Sequence, residues 1–177
     1  MLILGIDPGY AIVGYGLVEF KNGMFSAKNY GAVTTDSNQE FLLRLESIYD
    51  EINEIIKIYK PDAMSVEKLY FQNNHKTAID VAQARGVILL AAKQNNLPVY
   101  EYTPLQIKSA LTGYGRALKP QIMLMVQRLL RLKEIPKPDD TADALAAAIC
   151  HVQSIGKHYV NNFILKSRSV KSIWYTA

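Results

Sequence analysis

Two long stretches of helical periodicity, each flanked by short apolar runs, constrain this chain more than any other feature. In residues 39–60, Leu42, Leu45, Ile48, Tyr49, Ile52, Ile55, Ile56 and Tyr59 recur at helical spacing with acids between them, and Pro61 ends the run. Residues 75–95 form the second stretch, with Ile79, Ala82, Gly86, Leu89 and Leu90 expected on its inner face. The runs AMSVE and PVYEY that follow the two stretches read as short strands. Parallel strand pairs need crossovers of about this length, and the two helices supply them.

The N-terminal part has a different rhythm. LILGI is an apolar run that stops at Asp7-Pro8-Gly9 and reads as a buried strand ending in a turn. GYGLVEF and FSAKNYGAV follow, separated by Lys21-Asn22-Gly23; Asn-Gly between apolar runs is a strong hairpin signal. The first three strands are therefore expected to form an antiparallel meander. Residues 104–111, 119–132 and 141–155 read as helices, with Gly113-Tyr114-Gly115 as a loop. The fold class is α/β: a five-stranded mixed sheet flanked by helices, with the first and fourth strands side by side in its centre.

The 177 residues suit one domain, expected over 1–155, with a basic tail at 156–177 that is expected to be partly disordered. Chains of this size bury roughly 70% of their unfolded surface. With 49% apolar and 20% charged residues the composition is globular. Cys150 is the one cysteine, which excludes an internal disulfide and fits a reducing compartment. It lies in an alanine-rich run and reads as a small buried side chain. No basic, apolar leader and no apolar run of membrane-spanning length is evident, so a cytoplasmic protein is expected. The net charge of +4 is unevenly placed. The excess comes from Lys157, Lys166, Arg168 and Lys171, and no acid follows Asp143. Separately, residues 108–137 hold seven basic residues and one acid, Glu134. Such a stretch attracts phosphates, although it also suits a solvated face.

Four carboxylates stand out against this pattern. Asp7 ends an apolar strand, where it either caps a turn or binds something. Glu67 follows Met64-Ser65-Val66 in another; an unpaired charge there is costly, so it needs a base such as Lys68 or a functional partner. Asp140 and Asp143, in PDDTADALAAAI, share one face of a helix. An aspartate at 139 or 140 also serves as an N-cap, and the helix dipole favours both whatever their role. Ala142, Ala144, Ala146 and Ala147 let this helix sit close to the sheet, which brings Asp140 and Asp143 to the strand ends carrying Asp7 and Glu67. Crowded carboxylates repel one another and become tolerable with cations between them. Oxygen-only donors suit Mg²⁺ or Mn²⁺. Two such ions about 3.5–4 Å apart support in-line phosphoryl displacement, so a nuclease is expected.

The motifs GIDPG, SVEKLYF, QARGV, GYGRALKPQ and PDDTADALAAAI, in this order over residues 2–151, resemble the RuvC family of Holliday junction resolvases, a branch of the ribonuclease H-like fold. The resemblance implies a homodimeric endonuclease that cuts two opposed strands of four-way DNA junctions in recombination and repair. It implies Mg²⁺, two ions per subunit with Mn²⁺ able to substitute, and the branch-migration complex RuvAB as partner. By the same resemblance Asp7, Glu67, Asp140 and Asp143 are catalytic metal ligands, Lys108 and Lys119 contact phosphate, and Tyr70 stacks on a base. The family position matching Tyr70 is commonly phenylalanine. Arg116, in the same basic stretch, is assigned to DNA contact, and Arg85 is either structural or functional. The second helix, with apolar groups on more than one face, is an expected dimer element.

Three other readings compete. DPGYAIVGYG resembles the phosphate-binding hairpin of actin-like and sugar-kinase folds, but such ATP-binding enzymes need two domains of this type. A ribonuclease H-like nuclease acting on RNA or flap DNA is the principal alternative. A non-catalytic DNA-binding protein fits poorly with four carboxylates.

Overall fold

The run LILGI forms strand β1 (Leu2–Asp7), the central strand of a five-stranded sheet. Its computed structural model describes the backbone of residues 1–69 and 75–171, and side chains over 1–69 and 77–156. The remaining elements are β2 (Ile12–Lys21), β3 (Met24–Thr34), α1 (Phe41–Tyr59), β4 (Ala63–Glu67), α2 (His75–Gln94), β5 (Val99–Tyr102), α3 (Pro104–Thr112), α4 (Lys119–Leu130) and α5 (Asp139–Lys171). The sheet order is β3-β2-β1-β4-β5. The first three strands are antiparallel and β1-β4-β5 are parallel, the expected meander and mixed sheet. The hairpin turn between β2 and β3 places Asn22 and Gly23 in left-handed conformations at φ 52° and 77°, as a tight Asn-Gly turn requires.

Strand alternation sorts the side chains to two faces. Leu4 and Ile6 join Met64 and Val66 under α1 and α2, in a core that includes Ile48, Ile52 and Ile88. Ile3 and Ala63 join the opposite core, built from α3, α4 and α5. By the same alternation Asp7 and Glu67 belong to the α5 face. Ile6 pairs with Val66, so these two acids are the next residues of adjacent parallel strands.

Helix α5 lies across β2, β1 and β4 with almost nothing in between. A Cβ on Gly5 would collide with the carbonyl oxygen of Ala144, and one on Gly14 with that of Asp140. Ser65, buried, donates its hydroxyl to the Ala147 carbonyl at 2.6 Å. Ala142, Ala144, Ala146 and Ala147 are fully buried. The expected close approach therefore exists, but glycines of the sheet create it together with the alanines. The helix also starts at Asp139 rather than Thr141 and continues to Lys171. The tail expected to be partly disordered over 156–177 has a helical backbone as far as Lys171, and residues 172–177 lie outside the described residues.

One expectation is corrected. The inner face of α2 is formed by Ala84, Ile88, Ala91 and Ala92, all fully buried, whereas Ile79 is 68% and Leu90 49% exposed. Ala82 and Gly86 are also exposed and Leu89 is half-buried. The helix carries small or apolar residues all round, so periodicity alone selected the wrong phase. Arg85 forms an ion pair with Glu101 of β5.

Gly5→Ala and Gly14→Ala should each destabilise the chain by about 1–3 kcal/mol, the usual cost of overpacking. Urea unfolding would measure this; unchanged midpoints for both variants would mean that α5 is not seated on these glycines.

Candidate carboxylate site

The site forms where the C-terminal ends of β1 and β4 meet the first turns of α5. Asp7 pairs in register with Gly14, and Gly14 touches the backbone of Asp140. Strand end and helix start are thus fixed at one level. Asp143, one turn into α5, faces a cleft of about 220 Å³ lined also by Glu67, Pro104, Ile107, Lys108, Lys119 and Ile122. The turn after Asp7 is anchored from behind. The Arg44 guanidinium lies 3.7 Å over the Tyr10 ring, Arg44 Nε donates to Thr35 Oγ1 at 2.9 Å, and that hydroxyl donates to the Tyr10 carbonyl at 2.9 Å.

The electrostatics record crowding. Burial raises the Asp7 carboxyl to about 8, reinforced by the charges of Glu67, Asp143 and Asp140 and opposed by Lys119. Burial likewise raises Glu67 to about 7, with Asp143 adding to it and Lys108 and Lys119 opposing. Lys68, the local base considered for Glu67, is exposed. Lys119 bonds Asp143 at 3.0 Å and Asp139 at 3.4 Å. Burial depresses this ammonium, but the two carboxylates outweigh that and leave its pKa above the ordinary lysine value.

The structure therefore brings Asp7, Glu67, Asp140, Asp143, Lys108 and Lys119 into one neighbourhood. Arg116 is exposed on the loop between α3 and α4 and is absent from the cleft lining. Tyr70 lies outside the described residues. The sequence marks Asp139 only as a possible cap; its pairing with Lys119 is a tertiary contact whose one local signal is the doubled Asp-Asp in the first turn of α5. The donor set is all carboxyl oxygen and partly desolvated, which fits a hard divalent cation that displaces its protons. Among the described residues no three such side chains, as they stand, converge on one point that would hold an ion. Lys119 instead supplies the positive charge nearest Asp143.

The raised pKa values set a pH dependence. A folded chain that keeps protons on Asp7 and Glu67, where the unfolded chain releases them near 3.8 and 4.5, gains stability below those values. That gain is lost as pH rises through about 7 to 8. The metal-free protein should therefore melt several degrees lower at pH 8 than at pH 5, and Asp7→Asn should flatten the profile. Added Mn²⁺ should stabilise most at the alkaline end. Thermal midpoints measured across this range would check it; a wild-type midpoint that rises with pH would contradict the buried cluster.

Residues 3–151 match the family model described as crossover junction endodeoxyribonuclease RuvC. A relative of that description from Clostridioides difficile (strain 630) is 58% identical over 154 residues, covering 87% of this chain and 91% of the relative. One from Caldicellulosiruptor saccharolyticus is 55% identical over 155 residues, covering 87% and 93%. The solved structure of T. thermophilus RuvC in complex with Holliday junction substrate superposes with a TM-score of 0.84 at 36% identity, covering 88% of this chain and 94% of that one. The yeast mitochondrial Holliday junction resolvase shares the fold, with a TM-score of 0.62 at 16% identity over 90% and 83% of the two chains. The order of strands, the seating of α5 and these matches agree: the chain belongs to the RuvC family of crossover junction endodeoxyribonucleases.

Proposed function

We infer that this chain resolves four-way DNA junctions by metal-dependent hydrolysis of phosphodiester bonds, with Asp7, Glu67, Asp140 and Asp143 as the catalytic metal ligands. The observation that carries the reading is the crowding of Asp7 and Glu67, raised to about 8 and 7, beside Asp143 in a cleft flanked by lysines. Mg²⁺, or Mn²⁺ in its place, with two ions per subunit, would supply an activated water and charge neutralisation at the leaving oxygen. Asp7, fixed at the end of β1, and Asp143, fixed by α5, orient that chemistry. Lys108 and Lys119 hold the phosphate of the scissile strand, and Lys119 exchanges its bond to Asp143 for one to phosphate. Arg116 adds a DNA contact on the adjoining loop, and Tyr70 is carried over from the family as a base-stacking residue.

A four-way junction has two strands to cut, and one chain supplies one carboxylate cluster. A homodimer matches the two-fold substrate. The exposed positions Ile79, Ala82, Gly86 and Leu90 recur along α2 at three- and four-residue intervals and offer a continuous stripe for a second copy. RuvAB as branch-migration partner, a place in recombination and repair, and a cytoplasmic location rest on the family. No helix among the described residues is long and apolar enough to cross a membrane.

A synthetic four-way junction, incubated with and without Mg²⁺, tests the reading directly. Wild type should make paired, symmetric nicks only with the metal. Asp7→Asn should bind the junction and cut at background level, because the carboxylate holds metal rather than DNA. Mg²⁺-dependent cutting that survives Asp7→Asn would remove this site assignment.

Lys119→Ala should weaken junction binding and cut slowly. Loss of one phosphate contact reduces the log–log salt slope of affinity by about one unit. A slope equal to that of wild type would mean that Lys119 does not touch the backbone.

A further inference from the structure

Helices α3 and α4 begin alike and are capped differently. Thr103 caps α3: its hydroxyl accepts from the Gln106 N–H at 3.1 Å, and the Gln106 side chain accepts from the Thr103 N–H at 2.8 Å. Pro104 then opens the helix. At α4 the cap is Leu118, Pro120 lies in the first turn, and the Gln121 side chain accepts from the Leu118 N–H at 2.8 Å. The reciprocal bond is missing, since leucine has no acceptor. Serine or threonine would serve this helix better. Burial does not explain the leucine either, because it is 68% exposed.

Two more exposed apolar side chains belong to the same α3–loop–α4 segment. Leu105 is 61% and Tyr114 59% exposed. Gly115 sits so tightly on Leu105 that a Cβ there would meet its side chain. The loop is held: the Tyr114 N–H donates to Thr112 Oγ1 at 3.2 Å and the Ala117 N–H donates to the Tyr114 carbonyl at 3.2 Å. Leu105 adjoins Pro104 and Leu118 adjoins Lys119, both cleft residues. Between Tyr102 and Lys133 there is no acidic residue, while Lys108, Arg116 and Lys119 lie among the apolar groups.

We propose that Leu118, Tyr114 and Leu105 form a platform on which unpaired nucleobases beside the scissile phosphate pack when the junction is engaged. The proposal rests on the reading that the chain cuts four-way DNA junctions. Continuity with the cleft and the surrounding positive charge select nucleic acid as occupant. Lysines take the phosphates, and the apolar groups take base faces that an intact duplex keeps stacked. A local rule of helix capping is broken where a side chain is needed for something else.

The test uses Leu118→Ser, which restores a capping residue, together with Tyr114→Ala and Tyr114→Phe. The probe is a four-way junction carrying 2-aminopurine at the crossover. Leu118→Ser should melt at or above the wild-type temperature and keep the wild-type salt slope. It should nevertheless lose at least about five-fold in cutting rate and in the fluorescence rise that reports unstacking, the low end of what one stacked base contributes. Tyr114→Ala should do the same and Tyr114→Phe should recover. Wild-type cutting and fluorescence in both Leu118→Ser and Tyr114→Ala would overturn the platform alone. A changed sedimentation coefficient with unchanged fluorescence would overturn it in favour of an interface between copies. Wild type that leaves the junction uncut would sink the functional reading and the platform with it.

Discussion

Everything at the site depends on the contact between α5 and the central strands. Hydrogen-bonded carbonyls of the helix, not side chains, rest against Gly5 and Gly14. Ser65 adds a hydrogen bond to the helix backbone at Ala147. The sheet in turn is fixed by its register, which sets Asp7 level with Gly14 and Glu67 one step beyond the Ile6–Val66 pair. Two independent backbones therefore define where four acids meet. Had either face carried larger side chains, α5 would stand off the sheet and the acids would be spread across open surface.

That arrangement carries an electrostatic burden. Buried carboxylates of like charge are unfavourable, and the protein answers with protons on Asp7 and Glu67 and with the Lys119 ammonium on Asp143. Both answers are reversible. A proton leaves at modest alkalinity, and a lysine side chain half exposed to solvent is free to swing away. The dipole of α5 favours the acids in its first turns and lowers the cost somewhat.

Much of this was legible in the sequence because it depends on short-range pattern. Acids at the ends of apolar strands were conspicuous at Asp7 and Glu67, and Asn22-Gly23 announced its hairpin. The spacing of Asp140 and Asp143 defined a helix face. What stayed hidden depends on packing between distant segments. The roles of Gly5 and Gly14 follow from a helix more than a hundred residues away. The phase of α2 was misjudged because Ala84, Ala91 and Ala92 bury as little as they weigh in a periodicity, while the larger Ile79 and Leu90 face outward. In the sequence nothing sets Leu118 apart from other apolar residues before a helix, and only its exposure separates it from core.

The backbone contact of α5 also bears on how the protein fails. A site assembled from flexible side chains loosens by degrees as temperature rises, each rotamer adding its own error. Here the relative placement of strand ends and helix start is held by main-chain atoms in contact, so there is little room for partial slackening. Heat leaves the acids aligned until the helix parts from the sheet, and that parting is the unfolding of the core itself. Loss of alignment and loss of the fold are then expected to coincide as one cooperative event.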